Sequence, residues 1–278
     1  MSQWRIGDVT ITKIVEQEVS GGSRSLLLRD SPDWLAPHLL EGDACLRLSI
    51  HSFIVETPAK RIIVDTCLGN DKQHRPVGYW NHRQGRFLAD LAAAGFPAQS
   101  IDTVVNTHLH IDHVGWNTVL RDGAWVPTFP QARYLISGSE FEYWRDNATR
   151  EDTREMLADS VAPVVEAGLA DLVQTDHRIC DEVTLVPTPG HTPGHLSVRI
   201  VSCGQEALIT GDFMHHPCQV AHPGFELTSD SDPSRGTRTR WEMFDRLADR
   251  AVLLLITHFA GATAGRIVRD GDFYRFET

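Results

Sequence analysis

Short runs of β-branched and other apolar residues recur along the chain between Gly, Pro, Asn and Asp, a pattern typical of strands. We predict strands at Val9–Val15, Leu46–Glu56, Arg61–Asp65, Thr103–Asn106, Arg133–Ile136, Val183–Val186, Leu196–Val201, Ala207–Thr210 and Val252–Thr257. Apolar residues at helical spacing between these runs predict helices at Arg86–Ala94, Ser139–Asn147, Thr153–Ala167 and Arg238–Arg250. The alternation of strands and helices indicates an α/β protein.

No Pro/Gly/Ser-rich linker and no fixed-period repeat separates two differently composed halves of the chain. We therefore expect one domain spanning residues 1–278. The longest stretch without a clear strand runs from Gln17 to Gly42. Long connections of this kind are usually functional, and the sequence leaves open whether this one is a lid or a dimer contact.

Acidic side chains outnumber basic ones, with 37 Asp+Glu against 26 Lys+Arg and a formal net charge of −11. This balance argues against a nucleic-acid partner, which usually requires a basic patch. The first residues lack the basic-then-apolar pattern of a secretory signal, and the most apolar stretch, Ala251–Ile256, is too short to cross a bilayer. We expect a cytoplasmic protein with a small-molecule substrate and no membrane partner, and a homodimer stays open.

The chain has 14 histidines, and its five cysteines form no CxxC pair. The candidate metal ligands are therefore histidines and not cysteines. The segment Thr107–His113 reads THLHIDH. In an extended chain His108 and His110 point to the same side, whereas Asp112 and His113 are aimed elsewhere as the chain turns. One segment can thus serve two ions. Imidazole and carboxylate ligands suit zinc, although iron, manganese and cobalt stay open.

The motif HxHxDH, followed by His191 in TPGHTPGH, Asp212 in TGD and His258 near the C-terminus, resembles the metallo-β-lactamase-fold hydrolase superfamily over almost the whole chain. The resemblance implies an αββα sandwich of two mixed β-sheets with helices on the outer faces and a dinuclear site along one edge. It also implies the ligands: a first metal held by His108, His110 and His191, a second held by Asp112, His113 and His258, and Asp212 bridging both.

Charge explains why such a site would hydrolyse a substrate. Two divalent ions bring +4, while Asp112, Asp212 and a bridging hydroxide bring −3, which leaves about +1 to stabilise an oxyanion. The same charge lowers the pKa of bound water from about 15.7 towards 7, so a nucleophile exists at neutral pH. The resemblance gives Asp112 a second role as a proton acceptor. It also matches Asp65 to an aspartate that orients a metal-bound histidine.

The segment GDFMHHP and the later HFAGATAGRI resemble the methyl-parathion-hydrolase-like and lactonase-like branch of the superfamily. Quorum-quenching acyl-homoserine lactonases have a tyrosine three residues beyond the bridging aspartate, whereas here the position holds His215, and this difference argues against a lactonase of that narrow type. His215 is either catalytic or structural. Trp116 stands where many relatives have glycine. Aromatic residues near the motifs are candidates for an apolar substrate pocket: Trp116, Tyr79, Trp80, Phe225 and Phe259.

These features together predict a dinuclear metal-dependent hydrolase that cleaves a small-molecule ester, lactone or related acyl or phosphoryl bond. Two alternatives share the fold and most of the ligands. One is a thioesterase similar to glyoxalase II, and the other is a mononuclear iron enzyme similar to persulfide dioxygenases, which needs no second metal site. A non-catalytic metal-binding protein is less consistent with the sequence, because all seven implied ligands are present.

Overall fold

The computed structural model describes residues 2–23 and 45–278. The chain forms two compact units, one of Met1–Glu16 with Ile50–Thr175 and one of Gln17–Ser49 with Asp176–Thr278. Within the described residues no helix combines the length and the apolar character needed to cross a bilayer. The single domain over residues 1–278 stays a prediction.

The first unit contains four neighbouring parallel strands, which explains where its functional loops lie. Its strands and those that continue into it are β1 Ser2–Ile6, β2 Val9–Ser23, β3 Cys45–Glu56, β4 Arg61–Val64, β5 Thr103–Val105, β6 Thr118–Arg121, β7 Ala124–Pro127, β8 Arg133–Ser137 and β9 Ala170–Val173. In the described chain, seven of them form a sheet in the order β1-β2-β3-β4-β5-β8-β9, and β6 and β7 form a separate hairpin. The neighbours β4, β5, β8 and β9 run parallel. Their carboxyl ends therefore lie at one edge of the sheet.

The helices of the first unit follow these strands. They are α1 Phe87–Ala93, α2 Ile111–Val114, α3 Gly138–Asn147, α4 Glu151–Met156 and α5 Ala162–Glu166, with a π-helical turn at Leu157–Val161 and 3₁₀ turns at Gly78–Trp80, Ala98–Ser100 and Gly115–Asn117. Buried apolar side chains from the strands, such as Ile63 and Val104, pack with Phe87 and Leu91 of α1 in one core cluster. Burial of this apolar surface is the main contribution to the stability of the unit.

The predicted helix Thr153–Ala167 is present over α4, the π-helical turn and α5 despite its internal proline. Pro163 has no N–H to offer the carbonyl of Asp159 four residues earlier. That carbonyl instead accepts a hydrogen bond from the buried ammonium of Lys72 at 2.9 Å and another from the hydroxyl of Thr118. The proline thus changes the hydrogen bonding of the helix without ending it.

The second unit has a mostly antiparallel sheet. Its strands are β10 Val183–Pro187, β11 Leu196–Ser202, β12 Gln205–Ile209, β13 Val252–Leu255, β14 Ala264–Asp270 and β15 Phe273–Glu277, paired in that order, with helices α6 Cys218–Ala221 and α7 Pro233–Leu247. Only the β12–β13 pair is parallel among these described neighbours. The apolar face of α7, including Met243 and Phe244, packs with Leu208 and Leu254 of the sheet.

Every predicted strand is confirmed, but the limits of several elements differ from the prediction. The missed strands, β1, β6, β7, β9, β14 and β15, are hairpin or edge strands with many polar residues, which weakens their hydrophobic signal. The last helix begins at Pro233, not Arg238, because Asp232 caps it by accepting from the N–H of Arg235 at 2.9 Å. In the Gln17–Gly42 segment, the absence of a strand is wrong for residues 17–23, which continue β2, and residues 24–42 lie outside the described residues.

Candidate metal centre

The HxHxDH segment forms a tight turn after β5 in the first unit. His110 is extended and precedes α2, which carries Asp112 and His113 in a single helical turn. The imidazole of His108 lies 4.5 Å from that of His110 and 4.0 Å from that of His113, measured between ring centroids. His108 and His113 are buried, and Asp112 is partly exposed. The structure therefore brings these four predicted ligands together in one loop.

Asp65 orients the last histidine of this loop. It follows β4 in a left-handed backbone conformation, with φ of 58°, and is buried. Its Oδ2 accepts from Nδ1 of His113 at 2.9 Å, and its Oδ1 accepts from the N–H of Thr107 at 2.8 Å. Because Nδ1 of His113 is held by a carboxylate, Nε2 is the nitrogen left to bind a metal. The contact that the resemblance implies for Asp65 is present.

The residues that follow the motif hold the loop against the chain after β4. Gly115 must be glycine, because a Cβ atom there would lie 1.9 Å from the carbonyl oxygen of Leu68. Trp116 donates from Nε1 to Oε1 of Glu16 at 2.7 Å and stacks on Phe87 at 5.9 Å. Burial raises the pKa of Glu16 above its ordinary value. Trp116 is only 3% exposed and packs in the core cluster of this unit, and its place in a substrate pocket stays a prediction.

The second unit gathers four predicted functional residues around one carboxylate oxygen. Oδ2 of Asp212 lies 3.1 Å from Nε2 of His258, 3.0 Å from Nε2 of His215 and 3.5 Å from Nε2 of His191. All four side chains are buried. Asp212 and His258 come here because they follow the parallel neighbours β12 and β13, whose carboxyl ends share an edge. The ligand atoms of Asp212, His215 and His258 lie within 4.8 Å of one another.

The other nitrogens of two of these histidines are anchored. Nδ1 of His258 donates to the carbonyl oxygen of Ser49 at 3.1 Å, and Nδ1 of His191 lies 2.8 Å from Oδ1 of Asp230. Since a carbonyl can only accept, the Nδ1 atom of His258 carries a hydrogen, and Nε2, which lies on the side of Asp212, is the nitrogen that could bind a metal. Histidines that bind metals in proteins are oriented in this way. The donor set therefore fits a divalent cation.

Asp230 is a functional candidate that the sequence did not reveal. Burial raises its pKa to about 7, although the guanidinium of Arg240, 4.0 Å away, opposes the shift. Arg240 is fully buried and donates from Nε to the carbonyl of Phe213 at 2.9 Å, one residue beyond Asp212. In the sequence Asp230 is one of several polar residues in SDSDPSRG, and nothing there marks it as a partner of His191.

His195, the second histidine of TPGHTPGH, fixes the backbone of Asp212. Its Nδ1 donates to the carbonyl of Thr188 at 2.9 Å, and its Nε2 accepts from the N–H of Asp212 at 2.7 Å. Gly211 makes this approach possible, because a Cβ atom there would lie 2.6 Å from Nε2 of His195, and its φ is +58°. The motif thus supplies one predicted ligand, His191, and one residue that positions another.

The remaining pocket candidates occupy different environments. Tyr79 is 55% exposed, and Trp80 beside it is partly buried. Phe225 is partly buried and lies 4.9 Å from the ring of His222. Phe259 is 1% exposed in the core cluster of the second unit, and its place in a substrate pocket also stays a prediction. Aromatic residues close to a motif thus range from exposed to fully buried.

Parallel strands alternating with helices define the chain as an α/β protein, and each unit carries buried histidine and aspartate side chains on the loops that follow its strands. Residues 46–254 match the family described as the metallo-beta-lactamase superfamily, and the chain belongs to that superfamily. The α/β fold class expected from the sequence is therefore confirmed.

Known relatives include lactonases. The chain is 26% identical over 204 residues to the N-acyl homoserine lactonase AttM of Agrobacterium fabrum, an alignment covering 67% of this chain and 73% of AttM. It is 25% identical over 167 residues to an N-acyl homoserine lactonase of a Bacillus species, covering 56% of this chain. That alignment spans 59% of the Bacillus protein.

Solved structures resemble the whole chain. The fold is similar to the hydrolase AbOPH of the beta lactamase superfamily, with a TM-score of 0.82, 24% identity and coverage of 99% of this chain and 96% of that one. It is also similar to AidC, a dizinc quorum-quenching lactonase in complex with a product, with a TM-score of 0.80, 20% identity and the same coverage of 99% and 96%. At these identities the similarity defines the fold alone.

Proposed function

We propose that this chain is a metal-dependent hydrolase that binds two divalent metal ions, zinc by preference. The observation that carries the proposal is the arrangement around Asp212, whose Oδ2 faces Nε2 of His191 and His258 while their Nδ1 atoms are held by Asp230 and Ser49. A buried carboxylate facing buried imidazoles is costly without a cation to balance it. Bound metal would relieve that cost.

In this proposal the ligands divide as in the family. His108, His110 and His191 hold the first ion, Asp112, His113 and His258 hold the second, and Asp212 contacts both. The 4.5 Å between the ring centroids of His108 and His110 supports two donors of the first ion. The 3.1 Å between Nε2 of His258 and Oδ2 of Asp212 supports a donor of the second ion beside the carboxylate that contacts both. A ligand set of nitrogen and oxygen atoms without thiolate is consistent with zinc in catalytic sites.

The bound ions would supply a water of lowered pKa, which makes hydrolysis feasible at neutral pH. The chain's own residues would bind the substrate and move protons. Asp112 is partly exposed, so its carboxylate can accept a proton from the attacking water and return it to the leaving group. Nε2 of His215 lies 3.0 Å from Oδ2 of Asp212, and in this proposal His215 contacts the substrate carbonyl.

The substrate class proposed is a small lactone or ester with an apolar acyl group. AttM and the Bacillus relative are named N-acyl homoserine lactonases, and AidC is named as a lactonase, which favours a cyclic ester over a thioester. Among the predicted pocket residues, Tyr79 is exposed and Trp80 and Phe225 are partly buried, so these three are proposed to contact an acyl chain. Related acyl and phosphoryl esters should be tested as substrates alongside the lactones.

The experiment combines metal analysis with substrate screening. Purified chain should contain about two equivalents of zinc. It should hydrolyse lactones or aryl esters in a panel that also contains phosphotriesters, thioesters and β-lactams, and a chelator should abolish the activity. Asp212→Ala should lose both metal and turnover. One iron per chain with oxygen uptake would instead identify the mononuclear dioxygenase alternative, and near-normal turnover by Asp212→Ala would refute the ligand assignment.

A further inference from the structure

A buried glutamate outside the predicted ligand set contacts the HxHxDH segment. Glu140 is the third residue of α3 and is 1% exposed. Its Oε1 accepts from the N–H of Leu109 at 3.0 Å. Leu109 is the residue between His108 and His110, so the carboxylate holds the peptide from which both imidazoles project.

The topology of the sheet explains this contact. The segment with Leu109 follows β5, and α3 follows β8, its parallel neighbour. The first turn of the helix therefore lies beside the loop. The side chain of Leu109 is fully buried and packs with Met156 and Val161, so the peptide is fixed from its apolar side as well. Glu140 fixes the same peptide by accepting from its N–H.

The same carboxylate oxygen also positions an indole against the second histidine. Oε1 of Glu140 accepts from Nε1 of Trp144 at 2.7 Å, one helical turn further along α3. The ring of Trp144 meets the ring of His110 edge to face, with centroids 5.5 Å apart and planes at 65°. A single oxygen atom thus fixes the backbone before His110 and the aromatic surface beside it.

We infer that Glu140 is a positioning residue that sets the metal affinity of His108 and His110 by holding the Leu109 peptide and the Trp144 indole. The inference rests on the proposed metal centre. Ligands held in place before the ion arrives lose less conformational entropy on binding, so releasing them weakens binding. The expected size is that of other residues that orient ligands, about 10- to 100-fold in metal affinity.

The test compares zinc dissociation constants, measured by competition with a chromophoric chelator, in matched variants of the full chain. Glu140→Ala should bind zinc about 10- to 100-fold more weakly. Glu140→Gln keeps an acceptor oxygen and should stay within about threefold of wild type. Glu142→Ala, an exposed glutamate on the same helix, is the control and should match wild type. The visible spectrum of the cobalt-substituted chain should change only in the Ala variant.

Trp144→Leu provides a second route if Glu140→Ala does not fold, since it removes the donor and the ring but leaves Glu140 in place. It should weaken zinc binding about threefold to tenfold while the unfolding temperature in chelator stays near that of wild type. Wild-type zinc affinity in both Glu140→Ala and Trp144→Leu would overturn the inference about Glu140 but not the proposed metal centre. The same holds if Glu140→Gln binds zinc as weakly as Glu140→Ala. A wild-type chain that binds no zinc would overturn the proposed centre and the inference with it.

Discussion

Oδ1 of Asp230 lies 2.8 Å from Nδ1 of His191, although 39 residues separate them in sequence. The first unit contains the same relationship, since Asp65 accepts from Nδ1 of His113 at 2.9 Å across 48 residues. In each unit a buried aspartate fixes the ring of one predicted ligand and leaves Nε2 for the metal. Two loops distant in sequence thus orient a predicted metal ligand through the same contact between an aspartate and Nδ1 of a histidine.

Asp230→Asn should weaken zinc binding about 10- to 100-fold, because a neutral amide holds Nδ1 of His191 less firmly than a carboxylate does. The measurement is a zinc dissociation constant by chelator competition. Asp232→Asn is the matched control two residues away, since asparagine caps a helix as well as aspartate does. Equal affinities in Asp230→Asn and wild type would show that the contact does not orient a ligand.

Gly211→Ala should cost more stability than Gly204→Ala, although both glycines have positive φ, +58° and +75°. Left-handed backbone costs an alanine about 1–2 kcal/mol at either position. Only at residue 211 does the new Cβ also meet His195, at 2.6 Å, and crowding of this kind adds about 1–3 kcal/mol. Urea unfolding of the two variants measures the difference. Zinc affinity should fall only in Gly211→Ala, and similar losses in both variants would contradict the role given to His195.

His215→Phe should reduce kcat about 100-fold or more while two metals remain bound, because phenylalanine can keep the stacking on His258 but cannot transfer a proton. The rings of His215 and His258 lie 4.8 Å apart with planes at 17°. Metal content and steady-state kinetics should be measured on the same preparation, with His222→Phe as the control outside the predicted ligand set. Loss of metal would identify His215 as a ligand or a structural residue instead.

Lys72→Met should flatten the pH dependence of stability above neutral pH. Burial lowers the pKa of Lys72 from 10.5 to about 7, despite Asp159 nearby. Between these values the unfolded chain keeps a proton that the folded chain has released. The free energy of unfolding therefore rises with pH, by about 1.4 kcal/mol per unit. Urea unfolding between pH 7 and pH 10 should show this slope in wild type relative to Lys72→Met, and parallel curves would contradict it.

The sequence predicted the strands and the chemistry at their ends better than the contacts around that chemistry. Runs such as those before His108, Asp212 and His258 are strongly apolar, so both the strand and its polar end are visible in the letters alone. Asp230 and Glu140 were missed because each contacts a histidine loop only after folding, from a segment whose own pattern is that of a helix or its cap.

The aromatic pocket stays a prediction, and two of its candidates show why the sequence alone does not decide it. Trp116 and Phe259 lie near motifs in sequence, yet both side chains are buried in core clusters. A large apolar ring next to a functional loop serves to pack that loop as readily as to contact a substrate. Composition gives no means of distinguishing these roles. The homodimer and the cytoplasmic location stay predictions.

Pro163 has a consequence for how this chain can vary. Any other residue at that position would bring an amide hydrogen into competition for the carbonyl of Asp159, which now accepts from Lys72 and Thr118. The ammonium would then lose an acceptor in a place that water does not reach. Positions 72 and 163 should therefore covary, so that homologues without Lys72 also lack Pro163.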